Sequence, residues 1–424
     1  MSNAASEHCK FFVHRKKRYC KMLVKLGQEF CGEHQKPLES GDNETAIRIT
    51  CPLDRKHTVY AHKLSKHLKI CNARQTDPEP FIQKDINAGK SEVPAALASS
   101  DSFRMLCTFP KDQITAVIEK VNNIYEKYLK ISDKKMSFPL VEAEMAKPEY
   151  GDKAKKHFKQ ASSILGLMKE NGLFRDKTCY IEFGAGRGQL SCWIAEATES
   201  LEKCQLLLVE RASPKHKRDN KLAKTSDRIQ RIRADIADLV LDKLNFIEKS
   251  QHVVGVTKHL CGAATDLTIR CLTNPEVNKD KIDAAVLTFC CHHRCLWTSY
   301  TGKTFLQEND LSIDDFNIIC GLSSWATCGS GYSREFREKH KHENYQDNID
   351  METNGLSRDE REIIGQRCKN VLNWGRLRYL EANNFKCSLH YYVDKDITLE
   401  NVCIVALKQV YMGVFMYLYP SADK

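Results

Sequence analysis

Beyond residue 180 the chain alternates short apolar runs with longer segments whose apolar residues recur every three or four positions. The short runs read as strands at 180–183, 205–209, 229–233, 253–257, 284–289, 388–393 and 402–408. Strands separated by helix-length segments predict parallel βαβ units, with ligands meeting the carboxyl ends of the strands. The last two runs are joined by a short connection, 394–401, which predicts an antiparallel end to the sheet. Upstream, Ile114, Val117, Ile118, Val121, Ile124, Tyr125, Tyr128 and Leu129 share one helical face. A second such face begins near Lys153 and carries Phe158, Ala161, Ile164, Leu165 and Met168. Segment 359–382 reads as a long helix. The fold class is therefore α/β, a mostly parallel seven-stranded sheet with an antiparallel end.

Two stretches break the pattern. Residues 73–110 are rich in Asp, Pro, Ser and Ala without a period and read as a linker; 332–357 is polar and reads as a disordered insertion. The resulting layout is two small modules at 1–40 and 45–72, the linker, a helical region at 111–172 and a sheet domain at 173–410. Net charge is +10. Residues 1–72 hold 14 Lys and Arg against 7 Asp and Glu, so most of the excess sits at one end. That concentration favours a polyanionic partner. No apolar run approaches the roughly 20 residues that span a bilayer, and the first 30 residues lack a signal-peptide core. The expectation is an intracellular chain, in nucleus, cytoplasm or both, without membrane association. Its 19 cysteines then read as reduced thiols, some of them metal ligands.

The two small modules carry those ligands. Cys9, Cys20, Cys31 and His34 form one four-membered set; Cys51, His57, His67 and Cys71 form another. Zinc takes four thiolate or imidazole ligands in a tetrahedron. His67 and Cys71 are four apart and fall on one helical face. His62 competes with His57 and His67 on sequence grounds. Two structural Zn2+ sites are expected.

The first sheet strand ends in Glu182-Phe183-Gly184-Ala185-Gly186-Arg187-Gly188, and a helical run follows. Glycines at alternate positions let backbone N–H groups approach a ligand. The next strand closes on Glu210, and the third leads to Asp235 and Ile236. The spacing G-x-G-x-G behind an acid resembles the S-adenosylmethionine site of Rossmann-fold methyltransferases. That resemblance makes Glu182, Gly184, Gly186, Gly188, Glu210, Asp235 and Ile236 the cofactor-binding candidates, with Glu210 on the cofactor ribose and Asp235 on the adenine.

The later strand ends read Lys258-His-Leu-Cys-Gly-Ala-Ala-Thr-Asp266, Cys290-Cys-His-His-Arg-Cys295 and Ser323-Ser-Trp-Ala-Thr-Cys-Gly329. Together with a CCCH and a CHHC finger, these motifs resemble the eukaryotic tRNA ribose methyltransferase family that modifies nucleotide 4 of the acceptor stem. The resemblance implies 2′-O-methylation of tRNA with S-adenosylmethionine. Well-studied ribose methyltransferases on related sheets use a Lys-Asp-Lys-Glu set with Asp at the end of the fourth strand; here Lys258-His259 stands there. Lys258, His259, Asp266, His292 and Arg294 are the catalytic candidates. Lys258 would acidify the hydroxyl, His259 would take or orient its proton, Asp266 would orient a cation and Arg294 would suit a phosphate. Neighbouring residues on a strand point to opposite faces, so the Cys290–Cys295 run is expected to pack rather than share one ion. Two other readings compete: an RNA-binding scaffold on a non-catalytic fold, and a base or protein methyltransferase. The loop 258–261 lacks the Asn/Asp-Pro-Pro-aromatic pattern common in base N-methylation.

Overall fold

A computed structural model describes residues 8–13, 18–24, 27–31, 34, 48–55, 57–71, 79–89, 106–212, 227–274, 281–328 and 355–409. The chain divides into two compact units, Met1–Pro78 and Glu79–Lys424.

The first unit contains two short hairpins. β1 (Phe12–Val13) pairs antiparallel with β2 (Arg18–Tyr19), and β3 (Arg48–Thr50) with β4 (Thr58–Tyr60). The helix Leu64–Ile70 follows the second hairpin. The buried apolar side chains among its described residues are Val59 and four cysteines, Cys9, Cys31, Cys51 and Cys71. So little hydrocarbon cannot offset the entropy of ordering the chain, which leaves cross-linking through those sulfurs as the source of stability.

The second unit is built on a nine-stranded sheet. Its strands are β5 (Ile131–Asp133), β6 (Thr178–Phe183), β7 (Gln205–Val209), β8 (Ile229–Ile232), β9 (His252–Val256), β10 (Leu260–Cys261), β11 (Ile282–Cys290), β12 (Phe385–Tyr391) and β13 (Val402–Lys408). The order is β5-β12-β13-β11-β9-β6-β7-β8, with β10 beside β11. β6 to β9 and β11 are parallel, and β13 runs antiparallel between β11 and β12. The seven strands expected from the apolar runs are all present. β5 and β10, of three and two residues, are additions too short to leave a periodic mark.

Alternation sorts the strand side chains into two cores. Cys179, Ile181, Phe183, Leu207 and Val209 face one side; Tyr180, Leu206, Leu208, Val254 and Val256 face the other. The helices Asp152–Glu170 and Gln189–Ala197 cover that second face with Phe158, Ile164, Leu165 and Trp193. A third core joins the helix Lys111–Tyr128 to Ile313–Ser323 and Arg358–Ala382 around Tyr300 and Phe316.

Part of the presumed linker is ordered on the sheet unit. Asn87 donates to the carbonyls of Ile236 and Leu239 at 2.7 and 2.8 Å, and the Gln83 N–H donates to Asp238 O at 2.8 Å. This ordering comes from tertiary hydrogen bonds rather than from an apolar period, so composition could not reveal it. The insertion expected at 332–357 lies outside the described residues up to 354.

Asp266 illustrates how polar groups are used in this unit. It lies in the first turn of the helix Ala263–Thr273, is fully buried, and accepts two bonds from Arg376, at 3.1 and 2.8 Å. The Thr301 N–H and hydroxyl donate to it as well, at 3.1 and 3.0 Å. Removing one charge of a buried pair strands the other. Asp266→Asn is therefore expected to destabilise the protein by about 3 kcal/mol or more in chemical denaturation. The double substitution Asp266→Leu with Arg376→Met is expected to regain most of that loss; a single variant as stable as wild type would contradict the pairing.

Candidate methyl-transfer site and zinc centres

The glycine turn closes β6 where strand order reverses, with β7 on one side and β9 on the other. Such a switch point opens a crevice at the strand ends. Gly184, Gly186 and Gly188 have φ of 66°, 50° and 69°, all in the left-handed region that side chains disfavour. A Cβ at Gly184 would meet Leu260 Cδ1 at 3.0 Å, so the turn packs against the 258–261 loop. A Cβ at Gly186 would meet nothing nearer than Gly184 O at 3.9 Å, which leaves open space above the backbone there. Arg231 of β8 fixes the turn from below by donating to Gly186 O at 3.1 Å.

The acids divide into two kinds. Glu210, just past β7, accepts from the Gly186 N–H at 3.0 Å and the Ala212 N–H at 2.8 Å, and is only partly buried. Asp235 caps a short 3-10 turn through the Ala237 N–H at 3.1 Å, with Ile236 buried beside it. These two sit at the crevice rim. Glu182 is instead turned inward, where it accepts from the N–H and hydroxyl of Ser191 in the first turn of the next helix. Its place is behind the turn, at the start of that helix. Burial pushes its carboxyl up to about 7, although the Ser191 bonds oppose the rise.

At the end of β9, Lys258 is only 9% exposed, and its ammonium donates to His157 O at 3.2 Å. The rings of His157 and His259 meet edge to face at 6.3 Å. Burial, and then the Lys258 charge, lower both imidazoles below their ordinary range, which favours their neutral forms. His157, on the helix Asp152–Glu170, is a site neighbour that the sequence did not flag; its helix is read only through its apolar face.

Two other candidates are occupied elsewhere. Asp266 is satisfied by Arg376 and Thr301, leaving no free face for an acceptor. His292 is 2% exposed, approaches Asn373 Oδ1 at 2.8 Å and lies near Glu400. Burial holds it well below the ordinary histidine range. Arg294 ends the same short turn and is exposed.

In the small modules both expected ligand sets converge, with all donor atoms of each set within 4.8 Å. Cys20 and Cys31 sulfurs are 4.0 Å apart, those of Cys51 and Cys71 3.8 Å, and Cys9 and Cys31 each lie 3.4 Å from His34 Nδ1. Tetrahedral zinc with bonds of about 2.3 Å to sulfur and 2.0 Å to nitrogen requires edges of about 3.3 to 3.8 Å. The donor sets therefore fit zinc. His62 stands outside them. Asp54 approaches His57 Nδ1 at 3.6 Å, as a carboxylate orienting a ligating imidazole does.

A parallel sheet with a left-handed glycine turn at its switch point, an acid after the next strand and two four-ligand modules ahead of it defines a zinc-finger-bearing, Rossmann-type methyltransferase. The methyltransferase TRM13 family model matches residues 159–407, its CCCH zinc finger residues 7–35, and a U11-48K-like CHHC zinc finger residues 48–72. The chain belongs to the TRM13 family. It is similar to the tRNA:m(4)X modification enzyme TRM13 homologs of Mus musculus and Homo sapiens, each 34% identical. The alignments cover 94% of this chain and 94% of the mouse protein, and 95% of each with the human one. The Schizosaccharomyces pombe tRNA:m(4)X modification enzyme TRM13 is also 34% identical, over 87% of this chain and 97% of its own. Among the described residues no helix is long and apolar enough to cross a membrane.

The inward Glu182 has a pH signature. Its folded value, about 7, lies above the ordinary 4.5, so folding favours the protonated form. Its contribution is complete below about 4.5 and is lost as pH rises through about 7. Glu182→Gln keeps an acceptor for Ser191 and removes the titration. Thermal midpoints measured across that window are expected to fall less with rising pH in the variant; parallel curves would exclude the assignment.

Proposed function

We propose that this chain transfers a methyl group from S-adenosylmethionine to the ribose 2′-hydroxyl of nucleotide 4 in a tRNA acceptor stem. The observation that carries the reading is Lys258, a nearly buried cation at the end of β9 whose loop packs on the glycine turn. The relatives, named as tRNA modification enzymes, support the substrate class. The basic first unit, with Tyr19, Met22 and Leu23 more than half exposed among its lysines and arginines, supports a polyanionic partner with stackable bases.

The open space at Gly186 and the rim acids Glu210 and Asp235 suit the cofactor. Glu210 would release the Gly186 N–H and accept from ribose hydroxyls; Asp235 and Ile236 would border the adenine. When bound, S-adenosylmethionine supplies a methyl group already activated on a sulfonium. What the protein must add is alignment and help for a poorly acidic hydroxyl. Lys258 would stabilise negative charge developing on the ribose oxygen. His259, exposed and with its imidazole lowered by partial desolvation and then by the Lys258 charge, is competent to take the proton. Arg294, exposed on the following strand's turn, would meet a backbone phosphate.

Incubating the protein with unmodified tRNA and labelled donor, then mapping the label, is expected to place one methyl on the ribose at nucleotide 4. Label on a base, or on ribose elsewhere, would sink the assignment. Lys258→Ala is expected to lower turnover by about a hundredfold or more, the scale of losing one electrostatic stabiliser. Cofactor affinity, measured by calorimetry, should stay near normal, and full activity in that variant would remove Lys258 from the chemistry.

A further inference from the structure

The strand ends hold a third group of convergent thiols. Cys261 closes β10 and Cys290 closes β11, and the two are register partners in that parallel pair. Cys291 follows directly. The three sulfurs lie within 4.8 Å of one another.

Adjacent strand residues should point to opposite faces, which would keep Cys290 and Cys291 apart. Here the strand ends between them. Cys291 adopts a left-handed conformation, φ 53° and ψ 45°, and this turn brings the second sulfur round to the first. A non-glycine residue in that region is strained, and such strain persists only where the surroundings demand it. The 258–261 loop is held to match. Gly262 has φ +54°, donates to Cys290 O at 3.1 Å, and has no room for a Cβ, which would lie 2.5 Å from Arg294 O. Backbone on both sides is therefore fixed so that the three sulfurs meet.

The sulfurs of Cys261 and Cys290 are 2.9 Å apart. A disulfide would be about 2.05 Å and would use two of the thiols, leaving the strained turn at Cys291 unexplained. Two thiolates sharing a zinc ion are separated by about 3.8 Å, as near to 2.9 Å as a disulfide is, and it is the third convergent thiolate, completing a ligand face, that favours the ion. Soft thiolates select zinc among the common divalent ions.

We propose that Cys261, Cys290 and Cys291 form a third zinc site, distinct from the two fingers, at the carboxyl ends of β10 and β11. Each thiol gives up its proton on binding, and three protein ligands leave one tetrahedral position open. The ion ties the loop carrying Lys258 and His259 to the turn carrying Arg294. Its existence does not depend on which acceptor is methylated.

The full chain, produced with zinc in the medium, is expected to hold three zinc ions per chain by elemental analysis. Cys261→Ala and Cys291→Ala are each expected to hold two, and Cys291→His to regain the third. Alkylation of the folded wild-type protein supplies a measurement that needs no variant. Cys261, Cys290 and Cys291 should be protected until a chelator is added, as mapped by peptide mass. Two zinc ions in the wild type, an unchanged count in both alanine variants, or a Cys261–Cys290 disulfide in the non-reduced peptide map would each overturn the site.

Discussion

Three residues in sequence alternation, Gly184, Gly186 and Gly188, hold a backbone path that side chains disfavour, and the ends of β6, β7 and β8 are organised outward from it. Gly188 in the left-handed region starts the helix Gln189–Ala197. Gly186 offers its N–H to Glu210 and its carbonyl to Arg231, tying β6 to β7 and β8. Gly184 accepts the close approach of Leu260 and so sets the distance to the loop that carries Lys258. Glu182 braces the arrangement from inside through Ser191. A side chain at any of the three would strain the backbone as well as obstruct the space.

Around this turn the protein separates polar groups that are finished from polar groups that remain available. Asp266 with Arg376 is buried and engaged and joins two helices far apart in sequence, whereas His292 meets Asn373 through Nε2 and its buried Nδ1 has no hydrogen-bond partner. Buried polar groups are costly unless satisfied, so the Asp266–Arg376 pair fixes one packing of the helical layer over the sheet. His259, Glu210 and Arg294 keep access to solvent, where an acceptor and a donor can reach them, while Lys258 lies nearly buried beside His259.

The two units reach stability by different routes. The sheet unit buries two continuous apolar faces and a third helical core. Among its described residues the first unit has almost no hydrocarbon inside, and it relies on donor sets that suit zinc. A large core tolerates strained turns and buried charge, which is where the sheet unit places its chemistry. The metal-held unit instead leaves Phe11, Phe12 and Tyr19 exposed, and several of its lysines with them.

The sequence by itself determined the seven main strands, the antiparallel end, the glycine turn, the first finger's ligand set and the second's apart from the choice among His57, His62 and His67. Each rests on local periodicity, on glycine or on ligand spacing, and such signals survive without knowledge of the fold. Tertiary structure alone decided what distant residues do to one another. Asp266 stands eight residues after Lys258, yet Arg376, 110 positions away, takes its carboxylate. His157 reaches the site only because its helix crosses the end of β9. Residues 79–89 lack a period and are ordered by carbonyls of the 236–240 segment. The alternation of strand side chains kept Cys290 and Cys291 apart on paper. A left-handed residue at the strand end, set by contacts with the neighbouring loop, brought them together, because a conformation of that kind is imposed by packing and not by composition.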